Sequence, residues 1–273
     1  MTRILGLGDN TIDTYVSAGL QFPGGNAVNV AVLCRRLGVA ASYLGCLGDD
    51  EGGRILLDAL RAEEVDISRV RRCAGPNARA RIAHENGDRR FIGSIPGVRG
   101  RYDLGPEDFP YIAAHDLVHT SCNSDLDPEL SRIAAQARRL AYDYSEKWTD
   151  ERLAATLAHV GVAFLSAPRL DDAGCEALAR RCAAGGPAVV VVTRGAAGAI
   201  GFAAGQIVRQ GVASTRVVDT LGAGDGFIAG FLVSHLAGGD LAAALAAGAA
   251  MAARVCTWQG AFGHAQPWSP PPP

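Results

Sequence analysis

The segment DTLGAGDGFIAGF, Asp219 to Phe231, joins a glycine-rich turn to the start of an apolar helical pattern. At such a junction the backbone amides of Gly222, Ala223 and Gly224 lack acceptors within the helix, and the helix dipole adds positive potential. These amides predict a binding site for an anion such as a phosphoryl group. Asp225 follows within the first turn, where it can accept the proton of a hydroxyl that attacks this anion. A purely helix-capping aspartate is the alternative for this motif taken alone.

Two carboxylates lie near the end of the first predicted strand. Asp9 and Asp13 occur in GDNTIDTY, directly after the apolar run RILGLG. A carboxylate there can accept hydrogen bonds from two adjacent hydroxyls, so both residues are candidate sugar ligands. A turn-capping role is equally compatible with Asp9. Gly6 and Gly8 precede them, but the third glycine of the dinucleotide-binding pattern is missing, which argues against a Rossmann site.

The segment FPGGNAVNVAV indicates further ligands at a helix start. Gly24 and Gly25 allow the backbone to approach a ligand closely, and the side-chain amides of Asn26 and Asn29 can hydrogen-bond a polyol. Asn26 can equally serve as a helix N-cap. Asn29 lies one turn into the helix, which favours a ligand-binding role.

The strongest apolar strand pattern, AVVVVTRGAAG, ends in a third candidate site. Thr193 supplies a hydroxyl, and Gly195 and Gly198 leave room for the phosphates or the ribose of a nucleotide. An ordinary strand–turn junction is the alternative.

These groups need a scaffold that brings strand ends and helix starts together. Short apolar strand patterns alternate with helical patterns, which predicts an α/β fold with a doubly wound, mostly parallel sheet flanked by helices. Ligands of such folds bind at the carboxyl ends of the strands. Segments 11–20 and 78–97 break the alternation and predict a small β-lid, with a turn at Asn86-Gly87. We expect one domain over residues 1–265 and an extended, mobile Pro-rich tail over 266–273.

Composition argues against several classes of function. A net charge of −2 in 273 residues gives no basic excess for nucleic acid. The longest apolar tract, LAAALAAGAAMAARV, is too short to span a bilayer, so no membrane partner is expected. The seven cysteines form no C-x-x-C pair, which predicts free buried thiols in a cytoplasmic protein.

Two segments, GGNAVNVAVLCRRLGVAASYLGCLGDDEGG and DTLGAGDGFIAGFL, together resemble the signature regions of the ribokinase-like (PfkB) sugar kinases. The similarity extends over essentially Arg3 to Gly263. It implies ATP as phosphoryl donor, Mg²⁺ as cofactor, often a monovalent cation such as K⁺ near the second signature, and a homodimer formed through the β-lid.

The resemblance also implies roles for the matching residues. Asp225 corresponds to the catalytic base, and Gly222, Ala223 and Gly224 correspond to the anion hole. The positions that hold sugar hydroxyls are Asp13, Gly24, Gly25 and Asn29. The T-x-G-x-x-G nucleotide turn corresponds to Thr193, Arg194, Gly195 and Gly198.

The segment YDYSEKW stands where many members of the family carry D-x-N-x-R. Asp143 and Lys147 fill the outer positions, while Ser145 replaces the asparagine. Lys147 is therefore a candidate phosphate ligand, and a plain surface lysine is the alternative.

The N-x-x-E segment, whose glutamate helps to organise magnesium in the family, reads here Ser166-Ala167-Pro168-Arg169. Ser166 takes the first position, beside the expected nucleotide. Asp171 or Asp172 can replace the glutamate, or phosphates and water can hold the metal. The sequence alone therefore assigns no metal ligand.

The resemblance implies an ATP-dependent kinase that phosphorylates a primary hydroxyl of a ketose-type sugar. GDNTIDTY, GGNAVNVAV, YDYSEKW and SAPRLDD are most similar to the branch that acts on fructoselysine, and Asp125 or Asp127 is a candidate partner for the α-amino group of that substrate. Kinases of fructose, ribose or a ketodeoxy sugar acid are the alternatives. A non-catalytic sugar or nucleotide sensor is a further one, which the intact GAGD sequence disfavours.

Overall fold

A computed structural model of the chain describes residues 2–85, 88–99 and 103–270, so the turn expected at Asn86-Gly87 lies outside the described residues. The strands are, in chain order, β1 (Arg3–Leu7), β2 (Thr11–Tyr15), β3 (Leu20–Gly24), β4 (Ala40–Leu44), β5 (Cys46–Gly48), β6 (Arg71–Cys73), β7 (Arg79–Glu85), β8 (Asp88–Ile95), β9 (Leu117–Ser121), β10 (Leu140–Asp143), β11 (Val162–Ser166), β12 (Val189–Thr193), β13 (Ala199–Ala203), β14 (Gln206–Gln210) and β15 (Gln266–Pro267). The helices are α1 (Asn26–Arg36), α2 (Glu51–Ala62), α3 (Asp108–Ala113), α4 (Leu130–Gln136), α5 (Asp150–Thr156), α6 (Asp172–Ala184), α7 (Ala223–Leu236) and α8 (Leu241–Val255).

The larger sheet contains eight strands in the order β14-β13-β12-β11-β10-β9-β1-β4. Neighbours from β12 to β4 run parallel, whereas β13 and β14 extend one edge in antiparallel fashion. The predicted doubly wound, mostly parallel sheet is confirmed; the two antiparallel edge strands were not anticipated. Along β12, Val189 and Val191 join one hydrophobic core while Val190 and Val192 join the other. Its apolar run is therefore continuous because both faces are buried.

Helices cover both faces of this sheet. The first core lies under α1, α2, α7 and α8, and the second lies under α3, α4, α5 and α6. Helix α7 packs against both α1 and α8, which explains why its sequence is apolar almost all round. A fully buried leucine or phenylalanine in these cores contributes about 1.5–3 kcal/mol. The packing of α7 on α1 sets the starts of these two helices side by side.

The lid is a second sheet in the order β15-β3-β2-β7-β8. The expected first lid segment, 11–20, is a pair of strands, β2 and β3, that continues to Gly24 and turns through a left-handed Gly19. The first residues of the tail are extended, as the sequence predicts, and Gln266 and Pro267 pair with β3 and add a strand to the sheet, a contact that was not anticipated. Residues 271–273 lie outside the described part of the chain.

The cysteines follow the prediction in part. Cys34, Cys122, Cys175, Cys182 and Cys256 are free and buried. The expectation of free thiols is wrong for Cys46 and Cys73, which form a disulfide with Cα atoms 6.2 Å apart. Their strands β5 and β6 are neighbours in a small parallel sheet, a proximity that linear spacing does not reveal.

No helix among the described residues is long and apolar enough to cross a bilayer.

Candidate active site

The glycine turn and Asp225 lie at the start of α7. Gly222 precedes the helix in a left-handed conformation (φ 76°), which is strained for any residue with a Cβ atom. The amide of Ala223 donates to the carbonyl oxygen of Thr220 at 3.2 Å, so this amide is used within the turn. The first-turn amides of Gly224 and Asp225 have no acceptor inside the helix. Of the amides of Gly222, Ala223 and Gly224 that are expected to form an anion hole, that of Ala223 is therefore engaged within the turn, whereas that of Gly224 has no acceptor in the helix.

Two asparagine side chains of α1 hold the Asp225 carboxylate. Asn29 Nδ2 donates to Oδ2 at 2.6 Å, and Asn26 Nδ2 donates to Oδ1 at 2.7 Å. The same Asn26 nitrogen donates to Asp143 Oδ2 at 2.9 Å. Asp143 is the last residue of β10. One amide nitrogen thus connects carboxylates from two separate elements. Asn29 Oδ1 is buried without a hydrogen-bond partner among the described residues, so it is available to a ligand hydroxyl.

The pKa values of both carboxyl groups lie near neutral pH. Burial raises the pKa of Asp225 to about 7, and the charges of Asp143 and Asp9 add to this rise, while the Asn29 and Asn26 amides oppose it. Burial likewise raises the pKa of Asp143 to about 7, and the Ser145 amide opposes that rise. An acid with a pKa near the working pH is suited to accept a proton in a transition state.

Asp9 lies at the same edge, but protein groups surround its carboxylate. Oδ2 accepts from the Asn26 amide at 2.7 Å, and Oδ1 accepts from the Ala27 amide at 3.2 Å and from the hydroxyls of Ser121 and Ser124 at 3.1 and 3.0 Å. Asp9 therefore caps the start of α1 from the loop between β1 and β2. Of the two interpretations left open by the sequence, these contacts favour the capping role.

Asp13 and the double glycine lie at the junction of the second sheet and α1. Asp13 lies on β2 with 4% of its surface exposed. A Cβ atom on Gly24, in the adjacent strand β3, would collide with the Asp13 carboxylate. Glycine at position 24 therefore keeps that carboxylate in place, and Gly25 follows as the residue that precedes α1.

The predicted nucleotide turn follows β12. Gly195 begins a short 3₁₀ turn and Gly198 ends it, and the Thr193 hydroxyl donates to the carbonyl oxygen of Leu165 at 3.3 Å. Arg194 pairs with Asp172 at 2.7 Å, which neutralises its guanidinium locally. In the sheet register Thr193 lies beside Ser166 of β11, so two of the expected nucleotide positions are neighbours.

The segment after β10 continues the same edge. Ser145 has a left-handed backbone, and its amide donates to Asp143 Oδ1 at 2.8 Å, while Lys147 Nζ donates to Asn123 Oδ1 at 2.6 Å. Asn123 follows β9. The exposed lysine therefore lies at the carboxyl end of the sheet.

The two aspartates considered as magnesium ligands have other partners. Asp171 caps α6 by accepting from the Gly174 amide at 2.8 Å, and Asp172 pairs with Arg194 and Arg209. Within the described residues no group of three or more His, Cys, Asp or Glu side chains is arranged to hold a metal ion.

The sequence predicts that the segment HTSCNS, at the end of β9, lies near the pocket, but it assigns no role to the individual residues there. His119 Nε2 lies 2.8 Å from Asn26 Oδ1, and Ser121 and Ser124 bind Asp9. The available signal was HTSCNS, a run of polar residues where a buried strand ends. It carries no motif, so only the three-dimensional arrangement assigns it.

Comparisons with known proteins identify the family of this chain. The model of the pfkB family of carbohydrate kinases matches residues 6–267. The chain belongs to the pfkB family. It is 37% identical to the fructosamine kinase FrlD of Bacillus subtilis, over 97% of this chain and 95% of that protein. It is 35% identical to the fructoselysine 6-kinase of Escherichia coli, over 96% of this chain and all of that protein.

Solved structures agree on the fold of this pfkB kinase. A ribokinase from Arabidopsis thaliana, complexed with ribose and ATP, superimposes with a TM-score of 0.84 at 20% identity, over 96% of this chain and 94% of the other. The expected ribokinase-like fold is thereby confirmed, and the family match makes the chain a carbohydrate kinase.

Asp143→Asn should shift the pH dependence of this kinase. As the expected base, Asp225 must be ionised to accept a proton, so kcat/KM should fall below about pH 7 in the native enzyme. Removing the Asp143 charge lowers the pKa of Asp225. The fall of kcat/KM on the acidic side of the pH profile (the acid limb) should therefore occur at a pH lower by roughly half to one unit. Steady-state kinetics between pH 5 and 9 measure the shift.

The matched control is Asp58→Asn, an exposed carboxylate on α2, which should leave the acid limb in place. An Asp143→Asn enzyme with an unmoved limb would show that Asp225 does not sense its neighbour.

Proposed function

We propose that this kinase transfers the γ-phosphoryl group of ATP to a primary hydroxyl of a fructosamine, with fructoselysine as the representative substrate. The observation that carries the proposal is the Asp225 carboxylate, held by two asparagine amides beside the open first-turn amides of α7. The names of the two relatives support the substrate class, because the similarity covers nearly the whole of each chain.

In the proposed mechanism the acceptor hydroxyl lies against Asp225, and Asn29 Oδ1 accepts a hydrogen bond from the sugar. As the hydroxyl oxygen bonds to the γ-phosphorus, the bond to the bridging oxygen of ADP breaks, and the hydroxyl proton passes to Asp225. The amides of Gly224 and Asp225 stabilise charge on the phosphoryl oxygens. Asp225, with a pKa of about 7, is about half ionised at neutral pH before substrates bind.

The remaining ligands are proposed from their positions. Asp13, Gly24 and Gly25 lie where the lid meets α1 and would hold the sugar hydroxyls. The nucleotide would contact Thr193, Arg194, Gly195, Gly198, Ser166 and Lys147. Asp9 would act indirectly, by fixing the start of α1.

Magnesium neutralises phosphate charge when it binds with ATP. We assign it to the phosphates and to water, because Mg²⁺ keeps several waters and the two candidate aspartates are engaged elsewhere. Asp219 is the first residue of the second signature, near which a monovalent cation is expected. Its carboxylate accepts hydrogen bonds from the amides of Leu221 and Gly260 and from the Tyr15 hydroxyl. We therefore assign K⁺ no role in the proposed mechanism.

We further propose a homodimer formed through the lid. Strand β8 is an edge of the lid sheet, and it exposes 45% of Ile92 and 49% of Ile95. An apolar strand edge is normally covered by another element or another chain. A second copy of the lid would cover both isoleucines.

Asp225→Asn should abolish most turnover while ligand binding persists. Loss of a general base costs about 100- to 10,000-fold in kcat, whereas asparagine keeps the shape of the side chain. Kinetics on fructoselysine give kcat, and calorimetric titration gives the affinities for sugar and nucleotide.

Thermal unfolding separates this loss from misfolding. A carboxylate whose pKa is raised in the folded state destabilises that state when it is ionised, so Asp225→Asn should raise Tm above pH 7, and the gain should shrink as the pH falls. Near-native kcat in a folded Asp225→Asn protein would reject the mechanism. Sugar binding by the native chain without turnover would favour a sensor.

Asp125→Asn should separate fructoselysine from simpler sugars. Asp127 is engaged by Tyr142 and Arg152, whereas Asp125 is more than half exposed and lies 3.6 Å from Arg99. This pair can meet the α-amino and α-carboxylate groups of the lysine moiety. KM should rise roughly two- to fivefold, the range of an exposed ion pair, for fructoselysine alone.

Fructose and a fructosamine without charged groups serve as substrate controls, and Asp150→Asn serves as an exposed-carboxylate control. Equal changes in KM for all three sugars would show that Asp125 does not contribute to the specificity for fructoselysine. Higher kcat/KM for fructose than for fructoselysine in the native enzyme would favour a simple fructokinase.

A further inference from the structure

The Asn26 side chain can support the site in only one orientation. Its nitrogen donates to Asp225 at 2.7 Å and to Asp143 at 2.9 Å. An amide rotated by half a turn would place its oxygen between these carboxylates, where it could donate nothing and would repel both. Some group must therefore favour the observed orientation when the carboxylates are not both charged.

His119 is the group that contacts the other end of this amide. Its Nε2 lies 2.8 Å from Asn26 Oδ1, and because that oxygen accepts, Nε2 carries the hydrogen. His119 is fully buried on β9, and burial lowers its pKa to about 3, so the ring is neutral. Its Nδ1 is buried without a hydrogen-bond partner among the described residues. The ring is thus a donor toward Asn26, with no second contact that explains a histidine here.

We propose that His119 is a positioning residue that locks the Asn26 amide, so that one nitrogen holds the catalytic base Asp225 and its neighbour Asp143 together. This inference rests on the proposed role of Asp225. His119 does not touch the reacting groups; it acts through Asn26. The charged and titratable groups that face Asp225 are Asp143 from β10 and Asp9 from the loop between β1 and β2.

Two substitutions at position 119 separate a hydrogen-bond role from a packing role. His119→Gln places an amide nitrogen near the site of Nε2 and keeps the donor. His119→Asn is shorter, places its amide near the site of Nδ1, and loses the donor. Both remove the ring, so they change the core in similar ways.

The decisive measurement is the titration of the Asp225 side-chain carboxyl by ¹³C NMR, in protein without substrates. In His119→Asn the released Asn26 amide no longer favours the ionised base, so the pKa of Asp225 should rise by about one unit, and kcat at pH 7 should fall about fivefold because the ionised fraction drops from about one half to about one tenth. Turnover should recover as the pH is raised. In His119→Gln both quantities should stay close to native.

Equal titration of Asp225 in the native, His119→Gln and His119→Asn proteins would overturn the proposal, as would equal shifts in both variants. The native protein supplies a measurement that needs no variant: ¹⁵N NMR of His119 should show the Nε2-protonated tautomer, neutral from pH 5 to 8. A ring that titrates in this range, or a proton on Nδ1, would also overturn it. Turnover by Asp225→Asn would instead reject the proposed base while leaving these titrations interpretable.

Discussion

The side-chain amide of Asn26 separates two carboxylates that burial has already made costly to ionise. Without a donor between them, Asp143 and Asp225 would repel each other at the place where a base must stay charged. The amide belongs to the first residue of α1, while the carboxylates belong to β10 and α7. The site therefore depends on hydrogen bonds between three elements. A small shift of α1 would break the bonds of Asn26 to Asp143 and Asp225.

Two helix starts meet at this edge and serve opposite purposes. The start of α1 is neutralised internally, because the Asp9 carboxylate accepts from the amides of Asn26 and Ala27. Its dipole consequently offers little to a ligand, and the helix acts as a rigid support for Asn26 and Asn29. The start of α7 has a glycine turn in place of a capping side chain, so its amides remain available to a phosphoryl group. In the proposed mechanism, the start of α1 thus supports the side chains that hold Asp225, whereas the start of α7 binds the phosphoryl group.

Much of this arrangement could be predicted from sequence because it rests on local signals. Apolar strand runs gave the parallel sheet, and the motif GAGD placed Asp225 in the first turn of α7. The distribution of roles could not be predicted, since it depends on contacts between distant segments. Asp9 lies 115 positions from Ser124, whose hydroxyl it binds, and His119 lies 93 positions from Asn26. The pairing of the tail with β3 was not anticipated for the same reason, because it is a tertiary contact.

In the proposed mechanism, phosphate recognition relies on dipoles more than on free cations. The Arg194 guanidinium, at the nucleotide turn, is matched by Asp172, so its charge is partly neutralised before a nucleotide binds. The Lys147 ammonium contacts the neutral amide oxygen of Asn123, which leaves its charge uncompensated by that contact. A flexible lysine on an exposed segment can follow a phosphate as it moves, whereas the amides of α7 are fixed. Fixed amides suit the transferring group, whose geometry is strict, and the lysine suits the more variable phosphates of the donor.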